Sequence, residues 1–306
     1  MKSLGACGVF VFALVITLAG RDPARGRDDD PLIGVTPLST LVAEFKAAKT
    51  ANERSRWAAA IGAGKEKAAS AVPVLAASLK DRDPLVRENI ARALGSMGPS
   101  AKAAVPDLIA ALKDADDSVR NQVLYALQCI GPGAKAAVPS LSEILTNTAE
   151  KGRLRVAAAA ALGGLGPEGK VAVPLLKKAL TDKDTNVRVA SALAVYKIDK
   201  GNTKAVVIVL REALKDTDVL TRAGAAVALK ALGSDAADAV PELMAVLAKG
   251  DQSSYYAREA LGRIPAAEAA LVAALGDPDK KLRQAAASVL LEYFPEAAKK
   301  AGLGKK

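Results

Sequence analysis

An arginine returns along this chain at a nearly fixed interval. It occupies Arg54, Arg87, Arg120, Arg155, Arg188, Arg222 and Arg283, with Ser254 taking its place once, at steps of 33, 33, 35, 33, 34, 32 and 29 residues. The line around it recurs too, as "DPLVRENIARALGSMGP" from Asp83, "DTNVRVASALAVYKID" from Asp184 and "DPDKKLRQAAASVLLEY" from Asp277. Self-similarity at this period is the signature of stacked supersecondary units whose core grows by addition. One large closed core is therefore not expected, even for 306 residues.

Each unit carries two amphipathic segments. In the first, Val105, Leu108, Ile109 and Leu112 fall at i, i+3, i+4 and i+7; in the second, Val86, Ile90, Ala93, Leu94 and Met97 share one face over three turns. Gly98-Pro99, Gly131-Pro132 and Gly166-Pro167 stop the second helices, and a proline in "AVP" (Pro73, Pro106, Pro139, Pro174, Pro241) opens or kinks the next first helix. Apolar residues make up 51% but aromatics only 3%, so the core must be built from Ala, Leu and Val, a composition that favours helices packed closely.

The composite pattern D-x-D-x-x-V-R-x-x-A-x-x-A-L-G-x-x-G-P…A-V-P-x-L resembles HEAT repeats, specifically the subgroup called PBS lyase HEAT-like. The likeness runs from about Pro37 to Tyr293. It implies an all-α fold, a right-handed α-α superhelix of about eight helix pairs. The array is expected over 37–294, between a charged linker at 21–36 and a basic C-terminal tail at 295–306. Members of this family include scaffolds, lyase subunits, hydroxylases and DNA glycosylases, so the resemblance constrains fold more than function.

The returning charges have two readings. Asp83, Asp116, Asp184, Asp218 and Asp279 each stand four residues before a repeat Arg, most with a second Asp two residues earlier. Such carboxylates could form a calcium ladder or an acid/base pair. The structural reading is an N-cap for the second helix, where a carboxylate accepts backbone N–H groups at the positive end of the dipole. The Arg lies at the border of the apolar face, placed to bond a neighbouring unit's carboxylate or loop carbonyl. HEAT-like arrays are similar in carrying such a ladder, which here would comprise Asp83, Arg87, Asp116, Arg120, Arg155, Asp184, Arg188, Asp218, Arg222, Asp279 and Arg283.

Function is then expected at positions that vary between units. The first, fifth and eighth residues after the Arg oppose the apolar face, and in HEAT-like solenoids the second helix lines the concave side. These positions read Glu88, Arg92, Gly95; Asn121, Tyr125, Gln128; Val156, Ala160, Gly163; Val189, Leu193, Tyr196; Ala223, Val227, Lys230; Tyr255, Glu259, Gly262; and Gln284, Ser288, Leu291. Val156, Val189, Leu193, Tyr196 and Val227, bordered by Tyr125 and Tyr255, would form one exposed apolar strip suited to a protein or peptide partner. The alternative is that tight curvature buries the strip between helices.

The chemistry of many enzymes is missing. With no His, there is no Ser-His-Asp or Cys-His catalysis, no His-ligated zinc, and none of the His-Glu iron sets on which HEAT-like hydroxylases depend. No catalytic residue, cofactor or metal is expected. "MKSLGACGVFVFALVITLAG" has the layout of a signal peptide at 1–20, or else of an uncleaved membrane anchor. Cys7 precedes the apolar run rather than following it, against a lipobox; its loss with the leader leaves Cys129 alone, packed near a helix end, and no disulfide.

The formal charge of +10 is dispersed through the repeats, and export disfavours nucleic acid. The expectation is an exported monomer, periplasmic or secreted, that binds a protein without catalysis. A bilin-lyase-like role holding a substrate protein or chromophore is one alternative, and binding of an anionic polymer is another.

Overall fold

The computed structural model describes residues 30–304, and nearly all of them are helical. The leader at 1–20, Cys7 within it and the linker as far as residue 29 lie outside the described residues. The chain divides into two compact units, 1–140 and 141–306. The first holds a two-stranded hairpin, β1 (Leu32–Ile33) and β2 (Thr36–Pro37), then the helix pairs α1 (Leu38–Ala47) with α2 (Ala51–Gly62), α3 (Val72–Ala77) with α4 (Pro84–Met97), and α5 (Val105–Ala111) with α6 (Asp117–Ile130). Helix α7 (Val138–Thr146) crosses the division and pairs with α8 (Gly152–Gly164).

The second unit continues with α9 (Val173–Ala179) and α10 (Thr185–Ile198), α11 (Thr203–Ala213) and α12 (Val219–Leu232), α13 (Val240–Lys249) and α14 (Gln252–Leu261), and α15 (Ala267–Ala273) and α16 (Lys280–Tyr293). A short α17 (Pro295–Lys300) closes it. Eight helix pairs thus follow one another among the described residues, an all-α helical-repeat fold.

The boundaries have local causes. Asp83, Asp116, Asp184, Asp218 and Asp279 cap the second helices, accepting backbone N–H groups from Leu85, Ser118 and Val119, Asn186, Thr221 and Lys281. After α4, α6, α8 and α12 the chain turns on Gly98, Gly131, Gly166 and Gly233, all at positive φ, where a side chain would be strained. Seven residues of 3-10 helix then lead to the next first helix, whose first turn contains the recurrent proline.

Both ends of the array are covered. Residues 32–36, expected to be linker, instead form a hairpin that closes on Pro37, and Ile33 lies against Gly64 at the edge of the first unit. Residues 295–300, expected to be tail, form α17 with Ala297 and Ala298 buried. A solenoid's terminal repeats each lack one neighbour, so these segments cover apolar surface that would otherwise meet water. In the first pair Trp57 is buried, with the Arg56 guanidinium 4.8 Å over its ring.

The core is small-residue packing. Ile61, Leu75, Ile90, Leu94, Leu108, Leu124 and Leu127 in the first unit, and Leu154 and Leu162 in the second, are fully buried. Each contributes about 1.5–3 kcal/mol by leaving water. Between successive second helices, glycine faces alanine: a Cβ on Gly62 would lie 2.7 Å from Ala93 Cα, on Gly95 3.2 Å from Ala126 Cα, and on Gly163 2.8 Å from Ala194 Cα. The missing side chain is what lets the backbones come this close.

Candidate interaction surface and the ladder beneath it

The repeat arginines work as staples with two arms. One reaches back to a carbonyl of its own loop: Arg87 Nη1 to Asp81 (2.8 Å), Arg188 to Asp182 (2.8 Å), Arg222 to Asp216 (2.7 Å) and Arg283 to Asp277 (2.7 Å). Arg120 does the same to Asp114 (3.2 Å) and adds the Asp117 carboxylate at 2.7 Å. The other arm reaches the next repeat. Arg54 bonds Asp81 through both Nε (2.7 Å) and Nη2 (3.0 Å), Arg87 bonds Asp114 likewise (2.6 and 2.8 Å), and Arg155 grips Asp182 with both Nη atoms. Arg222 holds Asp251 at 2.6 Å and Ser253 Oγ at 3.2 Å.

This corrects the expected ladder. Asp83, Asp116, Asp184, Asp218 and Asp279 cap their own helices, and none of them is the cross-repeat partner. That partner is the aspartate two positions earlier, Asp81, Asp114 or Asp182, whose second role is to accept the N–H of the capping residue at 2.9 Å. Asp251 combines the two roles, capping α14 through the Ser253 N–H while holding Arg222, and has no aspartate two positions before it to take the arginine.

Burial works to raise the Asp81, Asp114 and Asp182 carboxyls. The arginine hydrogen bond and the loop amide outweigh it, leaving all three below the usual aspartate range. Arg155 is 3% exposed and also donates to the Leu145 carbonyl at 3.1 Å, so its charge is fully engaged. These groups are ionised, paired and occupied, which leaves them no free valence for a ligand.

The second-helix face differs from the expected strip. Val189 (9% exposed) and Tyr196 (7%) are core residues, and Val156, Leu193 and Tyr125 are half-buried. Only Val227 (44%) and Tyr255 (58%) stand well exposed. The eighth position after the arginine is not surface in three repeats: Tyr196 is core, and Gly95 and Gly163 are buried contacts between helices. Helix packing decides this, because a residue at the flank of the face is covered when the neighbouring helix comes close and uncovered when it does not.

The face has a different character in each unit. In the first, Arg92 pairs with Glu88 and donates to Asn89 Oδ1 (2.8 Å), beside Asn121, Gln122 and Gln128. In the second, Ala157, Ala160 and Ala190 are half-buried, followed by Leu193, Val227 and Tyr255, whose ring meets Tyr256 edge-on at 5.3 Å. Beyond Tyr255, Glu259 is held by Lys230 (2.7 Å) and by the Tyr293 hydroxyl (2.6 Å). Those two bonds, Lys230 first, draw the Glu259 carboxyl below its usual range, while the bond to Glu259, helped by burial, raises the Tyr293 phenol. A shallow depression lined by Arg258, Gln284, Ser288, Leu291 and Glu292 follows.

Among the described residues, no group of three or more His, Cys, Asp or Glu is arranged to hold a metal. No described helix is long and apolar enough to cross a membrane. Cys129 is half-buried near the end of α6.

The family model for HEAT repeats matches residues 43–128, 83–154 and 138–208. No curated protein matches the chain. Among solved structures, importin beta is similar at 14% identity and a TM-score of 0.55, over 86% of this chain and 41% of that one. An engineered protein is similar at 24% identity over 87% and 82% of the two chains (TM-score 0.46), and human deoxyhypusine hydroxylase in complex with glycerol at 21% over 86% and 96% (TM-score 0.34). The likeness to importin beta is one of fold, and this chain spans less than half of that protein.

Proposed function

The chain belongs to the HEAT-repeat family, and we propose that it is a non-enzymatic scaffold that holds a protein partner on the second-helix face of its second unit. The observation that carries this reading is the exposed pair Val227 and Tyr255 on successive second helices, set among small apolar residues and followed by charged side chains that are already paired. An exposed tyrosine beside aliphatic groups, with a polar rim, is the composition of an interaction centre. The absence of histidine from the whole sequence and the engagement of the ladder charges support binding without catalysis. Export belongs to the same reading and rests on the leader-like residues 1–20 alone.

The test is capture by the immobilised full chain from an envelope extract, identified by mass spectrometry. Val227→Glu with Tyr255→Glu should abolish retention of the specific protein and leave helix content unchanged, while Ile208→Glu, an exposed change on a first helix, should leave retention intact. Equal retention by all three forms would refute the proposed surface. Retention that disappears with modest salt would instead mark an anionic polymer.

A further inference from the structure

Several features meet at one joint inside the second unit, between α10 and α12. The ion-pair ladder skips it: both Nη atoms of Arg188 bond the Asp182 and Lys183 carbonyls and Thr185 Oγ1 on its own repeat, while Asp216 accepts the Asp218 N–H. The glycine contact is missing too. Tyr196 occupies the place held by glycine in α2, α4 and α8, as Gln128 and Lys230 do in α6 and α12.

The turn changes as well. α10 ends at Asp199 in an extended conformation and passes through three residues of 3-10 helix, where α4, α6, α8 and α12 are followed by a positive-φ glycine and seven.

A tyrosine hydrogen bond spans this joint where the α2–α4, α4–α6 and α8–α10 joints have a forked ion pair. Tyr196 donates to Asp235 Oδ2 at 2.9 Å, while the Thr221 hydroxyl, which lies 3.3 Å from Asn186 Oδ1, gives its proton to its own cap Asp218 at 2.8 Å. The Tyr196–Asp235 bond is itself charge-assisted, but it is one bond where a forked arginine–carboxylate pair makes two in a fixed geometry. We infer that the α10–α12 joint is a hinge, about which residues 203–304 turn against 141–200, with the Tyr196–Asp235 bond as its clasp. The motion changes the opening between Leu193 and Val227. It does not depend on a partner binding there.

Paired spin labels on the full chain test this, in a Cys7→Ser, Cys129→Ser background. Labels at Lys178→Cys and Lys249→Cys span the joint; pairs at Glu143→Cys with Lys183→Cys, and Glu212→Cys with Val272→Cys, lie to either side, all at exposed positions. The spanning pair should give a distance distribution about twice as wide as either control, as expected for a hinge between packed bodies. Tyr196→Phe should widen it further without moving the controls. A spanning distribution as narrow as the controls, and unchanged by Tyr196→Phe, would overturn the hinge.

Discussion

The joint between α8 and α10 and the joint between α10 and α12 are consecutive, share α10, and are built on opposite terms. At the first, Arg155 grips Asp182 and Gly163 lets Ala194 approach to contact distance. At the second, Arg188 turns back on its own loop and Tyr196 stands where the glycine would be. The contrast teaches that a repeat is held to its neighbour by two separable devices, an ion-pair rung and a glycine contact. Where a unit drops both, the helices part and apolar side chains such as Val227 come into view.

The largest difference should follow from removing the rung. Asp182→Ala leaves a nearly fully buried arginine without its carboxylate and should cost about 3–5 kcal/mol in urea unfolding. At the matching place in the next joint, Asp216→Ala removes one loop hydrogen bond and should cost about 1 kcal/mol or less. Equal losses would mean that the rung is not what distinguishes the two joints.

The glycines should then differ in sign. Gly163→Ala drives a Cβ to 2.8 Å from Ala194 Cα, a backbone atom that cannot yield alone, and should destabilise by about 1–3 kcal/mol. Gly224→Ala enters open space within a helix and should stabilise by about 0.5–1 kcal/mol, since alanine is the better helix former. Thermal unfolding of the two variants beside the parent decides it.

Much of this framework was legible in the sequence. The Gly-Pro stops, the proline of each first helix and the capping aspartates all follow from local backbone chemistry, which depends on few neighbours. The cross-repeat partner was legible too, but in another signal: Arg54 to Asp81, Arg87 to Asp114 and Arg155 to Asp182 are each 27 residues apart. The buried glycines carried a hint as well, because a glycine inside a helix costs stability unless something needs the space. Which flank residues are covered was not legible. Val189 and Val227 belong to the same face of successive helices, yet one is core and the other exposed: they stand first and fifth after their arginines, and the periodicity of one helix does not say which flank its neighbour covers.

Acid should sharpen the comparison between joints. The Asp182 carboxyl is depressed in the fold, so its contribution is complete above the unfolded aspartate value near pH 4, about 3.9, and is lost as pH falls through the lower folded value. Hydrogen exchange by helix should therefore show protection at the α8–α10 joint falling below about pH 4. The Asp182→Asn variant should lack that pH-dependent step.

The smallest effect is expected within α10 itself. Ser191 is fully buried and its hydroxyl has no hydrogen-bond partner. Ser191→Ala removes an unsatisfied group and should raise stability by up to about 1 kcal/mol, measurable as a shift in the urea midpoint at unchanged slope.

The account as a whole separates residues that hold the repeats from residues that meet a partner. The most direct measurement is capture of the partner well below the melting transition by two forms of the full chain, Asp182→Ala and Val227→Glu with Tyr255→Glu. The account predicts that the first binds as the parent does although it is much less stable, and that the second keeps its stability and fails to bind. Loss of capture in the framework variant while it remains folded, with capture retained by the surface variant, would contradict it.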